Sequence, residues 1–232
     1  VLLGRIAQAA GDVETAGEAY AYGMTHGIPA AFGLAAYAKY APADGGAIDP
    51  LEVEALALKG AAKGDWLSQE VLTVLYSKDL VPGKSGKEAF DTALKIAREG
   101  NPLAQFFVGY YYLTGVGQPV SEDKAAEWLQ AAVDAGYTHA NAYLAEIYEG
   151  STNGLAQPQR AAELLWTGLQ QGDATATDRL TTELASRSAE VVRIIQGKLR
   201  EQGLYQGAVD GLPGPGTEAA IRAFANSLGG QG

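Results

Sequence analysis

The stretch GYYYLTGVGQPVSEDKAAEWLQAAVDAGYTHANAYLAEIYEG, Gly109 to Gly150, decides the fold. Apolar residues recur in it at three- and four-residue steps on either side of a glycine-containing turn, the spacing of amphipathic helices. Its Gly136 belongs to a series, Gly27, Gly64, Gly100, Gly136 and Gly172, separated by 37, 36, 36 and 36 residues. A period of this length is the mark of a repeat array.

The phase carries more than glycine. Four positions after each glycine stands a small residue (Ala31, Ser68, Ala104, Ala140, Ala176), and nine after it another (Ala36, Thr73, Gly109, Ala145, Thr181). Each unit therefore reads as two helices, A after the glycine and B before the next, with small residues letting them approach closely. Helix starts are signalled at Asp49-Pro50-Leu51-Glu52, an N-cap with Pro at the first helical position, and at Ser85 with Glu88, a capping box. The recurrent glycines suit the position just past a helix end, where positive φ is favourable. The expected fold is all-α, an α-solenoid of helix pairs in which each unit buries its face on its neighbours.

The quoted stretch resembles the Sel1-like repeat, a relative of the tetratricopeptide repeat, in its helix-A tyrosine, GxG loop, KAAxW helix and terminal glycine. Neighbouring units keep the period but lose the GxG loop: residues 40–50 read YAPADGGAIDP and 76–86 read YSKDLVPGKSG. The resemblance implies an array that binds other proteins and does no chemistry.

Composition agrees with a chain able to bury a core, at 232 residues and 47% hydrophobic. A formal charge of −10 without clustered Lys and Arg argues against nucleic-acid partners. The absence of cysteine removes disulfides, thiolate chemistry and Cys-based metal sites, and leaves the redox compartment open. No apolar run reaches the eighteen or so residues that span a bilayer. The start, VLLGRIAQAAG, has neither Met nor the layout of a signal peptide, and the expectation is the soluble part of a longer, membrane-anchored protein of the cell envelope.

After Thr181 the pattern changes to SAEVVRIIQGKLREQGLYQGAVDGLPGPGTEAAIRAFANS. Val192, Ile195 and Leu199 precede Gly203 at helical spacing, and Ile221 and Phe224 follow Thr217, so the reading is helix, ordered loop, helix. Thr217 and Glu218 are read as N-cap and first-turn acid. The segment resembles the peptidoglycan-binding-like domain at Val192, Ile195-Gln196, Leu199, Gly203, Tyr205, Gly207, Asp210-Gly211, Gly214, Thr217, Ala220-Ile221 and Phe224. Pro213 and Ala225 depart from that pattern, and a further helix usual in the family does not follow. About forty residues form a marginal core, so the segment is expected to dock on the last repeat helices. The domains expected are 1–187, about five repeat units; 188–228, the small helical module; and 229–232, a flexible tail.

Catalytic constellations are not found. GKSGK at 83–87 fits a phosphate loop in neither register: with Gly83-Lys84, Lys78 stands where the first glycine is needed, and with Gly86-Lys87, Glu88 stands where Ser or Thr is needed. His26 and His139 fall at different phases, which argues against a shared metal site. The pairs Glu122-Asp123 and Glu52/Glu54 stand at helix starts, where acids meet the macrodipole favourably. The expectation is no catalytic residue, no metal and no cofactor.

Binding residues are sought instead on helix A of the quoted unit. Leu103, Phe106, Tyr110 and Leu113 form a second stripe beside the packing positions, and phase sets His139 and Glu146 on one neighbour and Leu67 and Glu70 on the other. In tetratricopeptide-like arrays such a stripe lines the concave groove, so these eight residues are expected to form an open protein-binding groove. In the tail, Tyr205, Gln206 and Arg222 are the side chains expected to touch peptidoglycan. The resemblances together imply a non-enzymatic periplasmic scaffold, binding a protein through the groove and the wall through the tail. They are similar in combination to the periplasmic ends of bacterial polar localisation factors. Two alternatives stand beside this reading: an accessory region of a wall hydrolase or other larger enzyme, and a repeat adaptor without wall binding.

Overall fold

The computed structural model of the chain describes residues 1–42, 47–152 and 154–229. Among these residues there are thirteen α-helices, one short 3₁₀ turn and no strand. The helices are α1 (Leu2–Ala9), α2 (Val13–Thr25), α3 (Pro29–Tyr40), α4 (Pro50–Ala61), α5 (Trp66–Ser77), α6 (Gly86–Ala97) and α7 (Pro102–Thr114). They continue as α8 (Glu122–Asp134), α9 (Ala140–Gly150), α10 (Pro158–Gln170), α11 (Ala174–Thr181), α12 (Ala189–Glu201) and α13 (Pro215–Gly229). The chain divides into two compact units, 1–120 and 121–232. Part of the 40–50 loop, and the 229–232 tail apart from Gly229, lie outside the described residues.

In the first unit α3 packs on α4 and α5, and α5 on α6 and α7, the nearest-neighbour pattern of a helix-pair solenoid. The expected start signals act locally. Asp49 accepts from the Leu51 and Glu52 amides at 3.0 and 3.2 Å, and Ser85 with Glu88 closes a capping box ahead of α6. Small residues set the helix spacing: a Cβ on Gly60 would collide with Ser68 Oγ and stand 2.9 Å from the Phe32 Cβ. The GxG loop has a similar origin. Gly117, at φ 74°, abuts the backbone of Gly86 at the start of α6, where any side chain would collide with the Gly86 carbonyl.

Two features depart from the periodic reading. Helix α1 precedes the glycine series and packs on α2, its Gly4 lying against the Tyr20 ring. In the last repeat helix α11 stops at Thr181, and Leu184 is buried in the 3₁₀ turn Leu184–Ser186.

In the second unit α8, α9, α10 and α11 continue the repeat, and α12 and α13 pack against it. Helix α12 lies on α10, and α13 lies on α11 and α10. Trp166 of α10 stacks on Phe224 of α13, ring centroids 4.7 Å apart and 8° from parallel. Lys198 of α12 reaches Glu163 of α10 at 2.8 Å. At the junction, Glu149 bonds Arg187 at 3.0 Å and also accepts the Ser188 amide, and both charged side chains are about nine-tenths buried. The expected docking of the small module is thus present, through aromatic, ionic and backbone contacts.

Candidate functional site

The glycine-rich loop between α12 and α13 is organised from below by one side chain. Gln196 is fully buried; its Oε1 accepts the Gly211 amide at 2.9 Å and its Nε2 donates to the Leu212 carbonyl at 3.0 Å. Thr217 Oγ1 and Asp210 Oδ1 each stand 3.3 Å from the same Nε2. A buried amide satisfied on both ends fixes a loop that lacks regular backbone bonding. Asp210 also accepts the Leu212 amide at 2.9 Å, and that bond, aided by Gln196 and the Arg193 charge, holds its carboxyl below the ordinary range.

Helix α13 begins at Pro215, two residues before the N-cap expected at Thr217. Proline suits the first helical position, and the Glu218 amide bonds the Gly214 carbonyl at 3.1 Å. Thr217 is instead a buried first-turn residue facing Gln196.

Of the tail residues expected to touch a ligand, Gln206 and Arg222 are exposed. Tyr205 is half-buried, with its hydroxyl donating to the Ala208 carbonyl at 3.0 Å and its ring lying over Gly207. Its ring therefore also braces the loop.

In the first unit α5, which carries Leu67 and Glu70, packs against α7, which bears Leu103, Phe106, Tyr110 and Leu113. The second stripe is less open than its spacing suggests: Leu103 and Phe106 are 7% and 6% exposed, whereas Tyr110, Leu113 and Leu67 are half-buried. Within α7 the Phe106 ring lies 5.5 Å from Phe107 and stacks on Tyr110 at 6.1 Å. Glu70 is exposed, yet desolvation by nearby protein atoms raises its carboxyl above the usual range.

His139 and Glu146 lie in the second unit on and beside α9. His139 Nδ1 is 3.0 Å from Asp173 Oδ2, and Asp173 caps α11 by accepting the Ala176 amide at 2.7 Å. Burial pushes the Asp173 carboxyl up, but the His139 hydrogen bond and charge with the Ala176 amide outweigh it and hold the carboxyl below its ordinary value. Glu146 pairs with Arg179 at 2.8 Å.

Glu52, Glu54 and Glu122, and the GKSGK loop, have structural partners. Glu52 pairs with Lys39 at 2.9 Å, Glu54 accepts the Tyr76 hydroxyl at 2.6 Å, and Glu122 accepts Ser151 Oγ at 2.9 Å. Within GKSGK, Ser85 caps α6 and Lys87 pairs with Asp91 at 2.5 Å. His26 closes α2 and stacks on Tyr22 at 4.0 Å. Among the described residues no group of three or more His, Cys, Asp or Glu is placed to hold a metal, and no helix is long and apolar enough to cross a membrane.

Helix pairs at a 36-residue period, closed by a small module with an internally bonded loop, define a helical-repeat protein. The sequence families agree: residues 102–137 and 138–172 match the Sel1 repeat, and 188–229 match the putative peptidoglycan binding domain. The chain thus carries two Sel1 repeats and one such domain. It is similar to a Sel1 repeat protein from Oxalobacter formigenes, at 21% identity and TM-score 0.61 over 97% of this chain and 98% of that one. It is also similar to c5321, a protective antigen present in uropathogenic Escherichia coli strains and displaying an SLR fold, at 21% identity and TM-score 0.61, covering 97% of this chain and 44% of that one. No curated protein sequence matches the chain.

Proposed function

We propose that the chain is a non-enzymatic scaffold of the bacterial cell envelope, working in the periplasm, where its repeats bind a protein partner and its terminal module associates with peptidoglycan. The observation that carries this reading is the joining of two Sel1 repeats to a putative peptidoglycan binding domain whose loop is held in one conformation by Gln196. Repeat arrays offer extended surfaces for protein segments, and a role in envelope organisation and cell polarity fits a chain that joins such a surface to the wall. In the first unit the groove is proposed along α5 and α7, with Leu67, Glu70, Tyr110 and Leu113 as contact residues and Leu103 and Phe106 as their buried support. His139 and Glu146 are proposed as contacts on the second unit, and Gln206 and Arg222, with Tyr205 as brace, as the wall-facing set. The domain division proposed is 1–187 and 188–228.

Site-specific photocrosslinking tests the protein-binding half. A crosslinker at Leu113 is expected to capture a partner in cells that one at exposed Tyr22 on α2 does not; equal capture at both positions contradicts the groove. A second reading, a repeat adaptor without wall binding, is favoured by the way the module is docked on α10 and α11 and by the internal use of the Tyr205 hydroxyl.

A further inference from the structure

A shallow groove of about 660 Å³ opens on the first unit, on α1, α3 and α5. Trp66, at the start of α5, is 48% exposed on it, and Ile28 just ahead of α3 is 38% exposed. Half-buried Leu34 and Leu67 extend the apolar wall, so the groove continues to a residue of the proposed binding surface. Large exposed apolar side chains gathered in a concavity are a feature of binding surfaces, whereas scattered ones are ordinary.

The charges on this groove run against those of the chain. Acids outnumber bases in the first unit as in the whole sequence. Yet the two exposed ionic side chains that line the groove are Arg5 and Lys63, both cationic, and neither has an ion-pair partner among the described residues. Lys63 stands 6.0 Å over the Phe32 ring. The acid in the wall, Asp65, is buried, and its Oδ2 accepts both the Ser68 amide and Ser68 Oγ, at 2.8 and 2.5 Å, in capping α5. A groove lined by an exposed tryptophan and two accessible cations complements an apolar side chain accompanied by carboxylates.

We infer that this groove receives an acidic segment of a protein partner, seating an apolar side chain on Trp66 while carboxylates meet Arg5 and Lys63. The inference rests on the proposed protein-binding role of the repeats and specifies the partner's chemistry. The test is fluorescence anisotropy on the intact chain, using a labelled peptide with Leu-Phe between acidic pairs and a counterpart with lysines in place of the acids. The acidic peptide is expected to bind, to weaken with added salt, and to lose affinity about tenfold or more in Arg5→Glu/Lys63→Glu and in Trp66→Ala. Circular dichroism checks that these surface variants remain helical. Equal binding of the lysine peptide, or unchanged binding by the charge-reversed variant, overturns the inference. So does self-association of the intact chain that the same variants abolish, since the occupant is then a second copy. If the partner captured at Leu113 binds the charge-reversed variant as well as the parent, the acidic-segment inference falls and the protein-binding role stands. If Leu113 captures no partner while the acidic peptide binds as described, the groove's chemistry holds and the Leu113 contact is lost.

Discussion

The Gly211 amide donates to Gln196 Oε1 at 2.9 Å, tying the centre of the glycine-rich loop to a side chain with no exposed surface. Replacing Gln196 by Leu leaves that amide and the Leu212 carbonyl without their partner inside the fold. A cost of about 2–3 kcal/mol to the second unit is expected, because buried polar groups lose water without regaining a bond. Hydrogen exchange of the Gly211 amide measures it, and unchanged protection contradicts the assignment.

Gly211 and Gly203 both have positive φ, 79° and 74°, but differ in surroundings. A Cβ on Gly211 would collide with the Ala189 carbonyl, whereas one on Gly203 meets nothing within 4 Å. Gly203→Ala is expected to cost roughly 1 kcal/mol and Gly211→Ala more than about 2 kcal/mol, by chemical denaturation. The order of the two is the checkable result.

Trp166 and Phe224 couple the repeat to the terminal module. Each alanine substitution is expected to destabilise the second unit by about 3–5 kcal/mol, with a coupling of about 1 kcal/mol in the double-mutant cycle. A peptide of residues 188–229 alone is expected to show little helix by circular dichroism. A cooperative unfolding transition in that peptide contradicts a docked module.

The Asp173 carboxyl is held below its ordinary value near 3.8 by His139 and the α11 cap. A depressed carboxylate stabilises the fold above the unfolded-state value and loses that contribution as pH falls through the folded-state value. Stability of the second unit is therefore expected to fall more steeply below about pH 4 in the parent than in Asp173→Asn, which keeps a cap but not the charge. Parallel pH profiles contradict this.

The helix pairs were legible because one glycine phase and its small companions recur along the chain. A further regularity lies in the sequence: Gly60 and Gly168 stand four residues before turn glycines, facing Ser68 and Ala176 four residues after them, and a Cβ on Gly168 would be 2.7 Å from that of Ala176. The pairing of small residues across these turns marks the close approach of B to the next A helix. Gln196 was visible as a motif position, but its role depends on a loop returning from fourteen to twenty-one residues later, which no local pattern reveals. The burial of Leu103 and Phe106 on α7 is not legible in the sequence, because spacing gives a face and says nothing of the neighbours that cover it. Helix α1 precedes the glycine series and so carries none of its phase.

Co-sedimentation of the intact chain with purified peptidoglycan sacculi tests the scaffold account most directly. The account predicts pelleting at low salt, reduced by Arg222→Ala and abolished by Gly211→Ala at temperatures where the repeats remain helical. A chain that stays in the supernatant at low salt, while folded by circular dichroism, contradicts the wall-associated role and leaves a repeat adaptor.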